Sequence, residues 1–361
     1  MRNWPNRRLL DLLKLEIPII QAPMAGSDSV ALTRSVSSTG ALGSLACALL
    51  TPDGVRDSVR AIREGMSRPF NLNFFCHSME LPDMAAKERW KSFLRSHYAR
   101  RGLDIEAVAE TRLRLPFNEE MCEVVEEVNP EVVSFHFGLP TPDLMDRLKK
   151  CGVRILSSAT SVKEAKWLED RGCDAIIVQG LEAGGHRAMF LETNVATQVG
   201  LFALLPQVAD AVSIPVIAAG GIADARGIVA AFALGASGVQ LGTAYLFCPE
   251  ANLSSLYRRA LEQVTDTGTA VTNLFSGRPA RGILNRYLAE AGPMSESALP
   301  FPYAAALVAP LRAASEKAGS FDYMQLWAGQ AAALATAMPA DQFTRKLAEN
   351  ALSRLQAGLE I

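Results

Sequence analysis

The chain has 361 residues, enough for one large barrel with additions or for two ordinary domains. Its composition, 49% hydrophobic and 20% charged, is that of a globular protein and excludes a disordered chain. A net charge of −2 argues against a nucleic-acid partner and leaves a small molecule as the expected ligand.

The first residues, MRNWPNRRLLDLLKLEIP, are basic, but Asp11, Lys14 and Glu16 stand where a signal peptide needs an apolar run. The expected location is therefore cytoplasmic. From there short apolar runs recur: IPIIQA at 17–22, ALGSL at 41–45, FNLNF at 70–74, EVVSF at 131–135, VRILSS at 153–158, AIIVQG at 175–180, IPVIAAG at 214–220 and GVQLG at 238–242. Helical patterns separate them at 28–39, 53–64, 119–128, 141–150, 161–170, 198–211 and 224–234. Strand–helix alternation predicts a parallel sheet covered on both faces. Eight such strands fit a closed (β/α)8 TIM barrel better than an open dinucleotide-binding sheet, because the first strand runs into APMAG, which lacks the G-x-G-x-x-G fingerprint. Residues 75–116 read as a charged, mainly helical insertion, and those from about 250 onward as a helical extension over the barrel mouth. This divides the chain into a barrel at 1–249 and a substrate-side extension at 250–361.

Gly227 to Pro249 carries no charge for 23 residues, long enough to span a bilayer, but its glycines and Gln240 read better as helix, turn and buried strand, and no membrane partner is expected. The six cysteines are scattered, with no C-x-x-C pair and no zinc-ligand spacing, as expected of thiols in a reducing compartment. No metal is expected.

In a barrel of this kind the chemistry gathers where the strands end. The strongest signal is two glycine turns, AAGGIAD after the seventh strand and QLGTAY after the eighth. Glycine lets backbone N–H groups approach a phosphate, and these two loops are the usual phosphate site of the fold. Gly220, Gly221, Gly242 and Thr243 are thus candidate phosphate contacts, with Asp224 capping the next helix. In LEAGGHRAMF, Gly184 and Gly185 precede His186 on an irregular mouth loop, which makes His186 the candidate acid or base. His136, after the fourth strand, is a lesser candidate for touching substrate, whereas His77 and His97 fall in the insertion and are read as non-catalytic. Asn73 and Gln179 offer amides to a flat heteroaromatic ring, and Met24 a soft surface against it.

With those residues in place, the chain resembles the FMN-dependent nitronate monooxygenases, formerly 2-nitropropane dioxygenases. The matching pieces are PIIQAPMAG (18–26), PFNLNFF (69–75), VVSFHFG (132–138), VQGLEAGGHR (178–187), IPVIAAGGIADARG (214–227), ALGASGVQLGTAY (233–245), FSGRPARGILNR (275–286) and LWAGQ (326–330). The resemblance implies His186 as the catalytic residue. It implies FMN contacts at Ala22, Pro23, Met24, Asn73, Gln179, Gly184, Gly185, Gly220, Gly221, Gln240, Leu241, Gly242 and Thr243, and Ser276 beside the substrate. It further implies oxidation of a nitronate or nitroalkane by molecular oxygen to a carbonyl compound and nitrite, in a monomer or homodimer. Two departures stand out: Ala188 occupies a position that is glycine in many relatives, and Ser157 and Ser158 lie where some relatives carry a lysine. The competing readings are an FMN-dependent enoyl-acyl-carrier-protein reductase using NAD(P)H, a flavin-binding protein without turnover, and a flavin-free barrel isomerase or aldolase.

Overall fold

A computed structural model describes residues 4–108 and 113–357; positions 109–112 of the expected insertion lie outside the described residues. The strands of the central sheet are β1 (Ile19–Gln21), β2 (Gly43–Ala46), β3 (Phe70–Phe75), β4 (Val132–His136), β5 (Arg154–Ala159), β6 (Ala175–Gln179), β8 (Val216–Ala219) and β9 (Gly238–Leu241). Each pairs in parallel with its neighbours in the order β1-β9-β8-β6-β5-β4-β3-β2. A parallel bridge between Ile20 and Leu42 joins the two ends, so the sheet closes into a barrel. All eight anticipated strands are present, and the uncharged 227–249 stretch holds a helix, a turn and β9. No helix among the described residues is long and apolar enough to cross a membrane.

The helices are α1 (Arg8–Leu13), α2 (Val30–Ser37), α3 (Pro52–Arg63), α4 (Met84–Arg100), α5 (Glu119–Val128), α6 (Pro142–Lys150) and α7 (Val162–Asp170). They continue with α8 (Leu201–Ala211), α9 (Ala225–Ala233), α10 (Thr243–Leu246), α11 (Ser255–Glu262), α12 (Arg286–Ala291), α13 (Ala304–Lys317) and α14 (Ala340–Ala357). Their starts are chemically marked, as capping requires. Ser29, Thr51, Asn118, Ser161 and Asp224 each accept a hydrogen bond from a first-turn amide.

Part of the barrel interior is polar, yet largely satisfied. The Asn71 amide donates to Ser44 Oγ at 3.0 Å and Ser134 Oγ at 2.9 Å, and Gln21 Oε1 accepts from the Ser44 amide at 2.8 Å. Such paired polar groups fix strand register where an unpaired one would destabilise the core.

Beyond β9 the chain is less helical than its composition suggests. β10 (Thr269–Thr272) and β11 (Ala280–Ile283) form an antiparallel hairpin, and β11 pairs with a two-residue strand, β7 (Gly185–His186). The β-branched TAVT run followed by Ser-Gly-Arg-Pro was the local signal for this hairpin. Trp90, Leu94 and Tyr98 of α4 share a second core with Leu274, Phe275, Tyr287 and Leu311 from the region after β9. By contrast, α14 leaves the mouth and packs between α2 and α9, which completes the ring of helices around the barrel. Residues 250–339 therefore form an insertion between β9 and α14, and a boundary at 249 cuts the barrel short.

Candidate active site

The strand ends open into a cavity of about 430 Å³. Ala22, Pro23, Met24, Asn73, His136, Gln179, Gly184, Gly185, His186, Gly220, Gly221, Gln240, Gly242 and Thr243 all line it. Two anticipated residues do not. Leu241 alternates outward from Gln240 and is buried in the core, and Ser276 sits behind His186 rather than on the wall.

Each wall is held by identifiable contacts. After β1, the Met24 amide donates to Asp28 Oδ2 at 3.0 Å, and the Ala46 amide donates to the same oxygen at 2.7 Å. One buried carboxyl thus ties the APMAG loop to the end of β2, and burial pushes its pKa up to about 7. Nothing in the spacing of the sequence marked Asp28. At the opposite side, Gly220 and Gly221 adopt φ of 109° and 68°, a region that disfavours side chains. Among the described residues, the amides of Gly221, Ile222, Thr243 and Ala244 donate to no protein acceptor. Four free N–H groups at two helix starts make a cradle for an anion. Thr243 Oγ1 accepts from the Gly329 amide at 2.9 Å, which leaves its own proton to donate. Gln240 Oε1 is buried and has no partner in the protein. An N–H donor on a bound ring would satisfy it.

The histidine loop is fixed by backbone contacts that the sequence did not reveal. Gln179 donates from Nε2 to the His186 carbonyl at 3.0 Å and accepts at Oε1 from the Ala188 amide at 2.9 Å. Gln179 therefore spends both ends of its amide on the loop. Asn73 likewise gives Nδ2 to Ser134, so what it can offer a ligand is its carbonyl oxygen. Arg187 is fully buried and donates to the carbonyls of Gly180 (2.7 Å) and Gln179 (2.9 Å) and to Gln198 (3.0 Å). Gly184 passes so close to Gly329 that a Cβ would lie 2.6 Å from the Gly329 nitrogen. The Gln330 amide donates to the Glu182 carbonyl at 3.0 Å, which seals the LWAGQ segment against the histidine loop.

His186 itself is ringed by Phe301 and Trp327, each with ring centroids at 5.4 Å. Neither aromatic was singled out from the sequence; Trp327 falls in the quoted LWAGQ piece. His186 Nε2 lies 2.9 Å from Ser276 Oγ, and that hydroxyl lies 3.2 Å from the Arg278 carbonyl, which only accepts. A serine proton donated to that carbonyl places the imidazole proton on Nε2 and a lone pair on Nδ1. The His136 Nε2 donates to the His186 carbonyl at 3.1 Å. Burial lowers the His136 pKa to about 4 and holds the His186 pKa well below the usual value, where Arg114, His136, Arg278 and His77 add to the effect. His186 is a neutral imidazole in a positively biased pocket.

Fold and site together define a (β/α)8-barrel enzyme with an anion cradle on one side of its mouth and a neutral histidine on the other. The chain belongs to the nitronate monooxygenase family, whose pattern matches residues 6–350. It is 43% identical over 343 residues to a nitronate monooxygenase of Paraburkholderia phytofirmans, covering 94% of each chain. A nitroalkane oxidase structure from Streptomyces ansochromogenes superposes with a TM-score of 0.87 at 36% identity, covering 97% of this chain and 99% of that one. FabK from Thermotoga maritima superposes with a TM-score of 0.71 at 25% identity, covering 98% of each chain.

Proposed function

We propose that this protein uses FMN to oxidise alkyl nitronates with molecular oxygen, giving a carbonyl compound and nitrite, with His186 as the catalytic residue. The observation that carries the reading is the pairing of four free amides beside Gly221 and Thr243 with a neutral His186 across the same cavity. The residues fit the cofactor. Gly220, Gly221, Gly242 and Thr243 would take its phosphate, the unpaired Gln240 Oε1 would accept from a ring N–H, and Met24 would lie against the ring. When bound, the flavin takes electrons from the substrate and delivers them to oxygen.

The protein's own part is orientation and charge. Gln179 and His136 fix the backbone of His186, and Ser276 fixes its ring. Nδ1 can accept a proton from a neutral nitroalkane, or the ring can stand beside an already anionic nitronate. Phe301, Trp327 and Phe75 keep water from the reacting centre. Six free cysteines support a reducing, cytoplasmic setting, and the active unit is a monomer or homodimer.

The test is direct. Protein loaded with FMN should be yellow and consume oxygen on adding an alkyl nitronate, and His186→Asn should abolish turnover while keeping the colour. Anaerobic bleaching by NADPH, with none by nitronate, would instead favour the enoyl reductase. That alternative has the weaker support, since FabK stands further away than the nitroalkane oxidase in both identity and TM-score.

A further inference from the structure

The arginines near the cavity are not equivalent. Arg187 and Arg281 are bound to backbone carbonyls. Arg278 donates to the Met189 carbonyl and lies 3.9 Å from the centre of the Phe137 ring. Arg114 also lines the cavity, yet among the described residues its guanidinium has no hydrogen bond and no ion pair. Arg312, from α13, lines the same cavity with its side chain 46% exposed, in a loose ion pair at 3.9 Å with Glu316, which also lines the cavity. A partly buried guanidinium with five donors and no acceptor is unfavourable unless something anionic comes to it.

We infer that Arg114 is a specificity-determining residue that pairs with the negative charge of the substrate, so that the site selects a nitronate over the neutral nitroalkane of the same skeleton. Arg312 is the outer member of the pair and draws the anion inward. The inference rests on the nitronate reading above. A second consideration points the same way. Removing a proton from a neutral nitroalkane would turn His186 into a cation beside Arg114 and Arg278, both of which already disfavour that charge. An anion that arrives already deprotonated asks nothing of the imidazole and gives the Arg114 guanidinium an acceptor, which it lacks among the described residues.

The experiment uses protein loaded with FMN and three variants, Arg114→Gln, Arg114→Lys and Arg312→Gln. Arg114→Gln should raise KM for an alkyl nitronate by roughly 10- to 100-fold, a loss typical of a charge-assisted contact, and lower kcat far less. Its kcat/KM for the neutral nitroalkane should stay within about twofold, and Arg114→Lys should restore part of the nitronate KM. Arg312→Gln should chiefly weaken the dependence of kcat/KM on ionic strength. Calorimetric titration with nitrate, a planar anion that does not turn over, should show binding about tenfold or more weaker in Arg114→Gln. Equal losses on nitronate and nitroalkane, or unchanged nitrate affinity, would overturn the assignment. Wild-type protein without nitronate turnover would instead remove the reaction, and the nitrate titration would still decide the role of Arg114.

Discussion

Replacing Gly184 by alanine isolates the contact that seals the cavity. Gly184 does not have a positive φ, so alanine introduces no backbone strain there, and the whole effect comes from the new methyl. That Cβ would lie 2.6 Å from the Gly329 nitrogen and 2.7 Å from the Ala328 carbonyl carbon, both main-chain atoms that cannot rotate away. Ordinary contact begins near 3.4 Å, so the two segments must part by about 0.8 Å. Parting them strains the Gln330-to-Glu182 and Gly329-to-Thr243 hydrogen bonds, and over-packing of this kind destabilises by about 1–3 kcal/mol. His186 lies two residues on, and a displacement approaching 1 Å lowers turnover by up to roughly 100-fold. Gly329→Ala creates the reciprocal clash, 2.7 Å from the Glu182 carbonyl oxygen and 2.9 Å from the Gly184 nitrogen. Once one methyl has separated the segments, the second finds ordinary contact distances. The double variant should therefore lose about 1 kcal/mol less than the two single losses added together. Urea denaturation of all four proteins measures this, with oxygen consumption followed in parallel. Single losses below about 0.5 kcal/mol, or strict additivity, would refute the contact as the seal.

Two further outcomes follow from buried polar groups. The Asp28 pKa is raised to about 7, so its neutral form is the one the fold prefers, and its contribution is full below the unfolded carboxyl value and lost as pH rises through 7. Asp28→Asn should flatten the decline in stability between about pH 4 and 7, seen as denaturation midpoint against pH; parallel curves would remove Asp28 as the cause. Arg187→Met takes the guanidinium from the Gln179 carbonyl and leaves the Gly180 carbonyl with the Ala183 amide as its remaining donor, and should destabilise by roughly 2–3 kcal/mol, read from the urea midpoint. A loss under about 1 kcal/mol would mean that water reaches those carbonyls.

The barrel was legible because its signals are local and repeated. Every strand run is apolar on a short scale, and several of the helices that follow begin at a capping residue such as Ser161 or Asp224. The glycine pair Gly220–Gly221 and the His186 loop were legible because unusual backbone demands unusual residues. What escaped notice depends on partners distant in sequence. Gln179 reads as a ligand group until the fold brings the His186 carbonyl and Ala188 amide against it, and Asp28 matters only because β2 ends beside it. Leu241 shared a turn with real lining residues, but strand alternation points it away from them. The β10–β11 hairpin lay within a stretch whose overall composition favours helix, and four β-branched or small residues did not outweigh that average.

The placement of α14 bears on how the molecule is made. All eight staves of the cask precede residue 250, but α14, the helix that closes the outer ring, emerges from the ribosome only after residues 250–339, so the roof is delivered before the ring beneath it can be finished. Until α14 lies down between α2 and α9, the sides of both helices that it covers remain open to solvent and to other chains. That exposure lasts until residues 340–357 have been made. It is brought to a close by a helix that touches none of the chemistry.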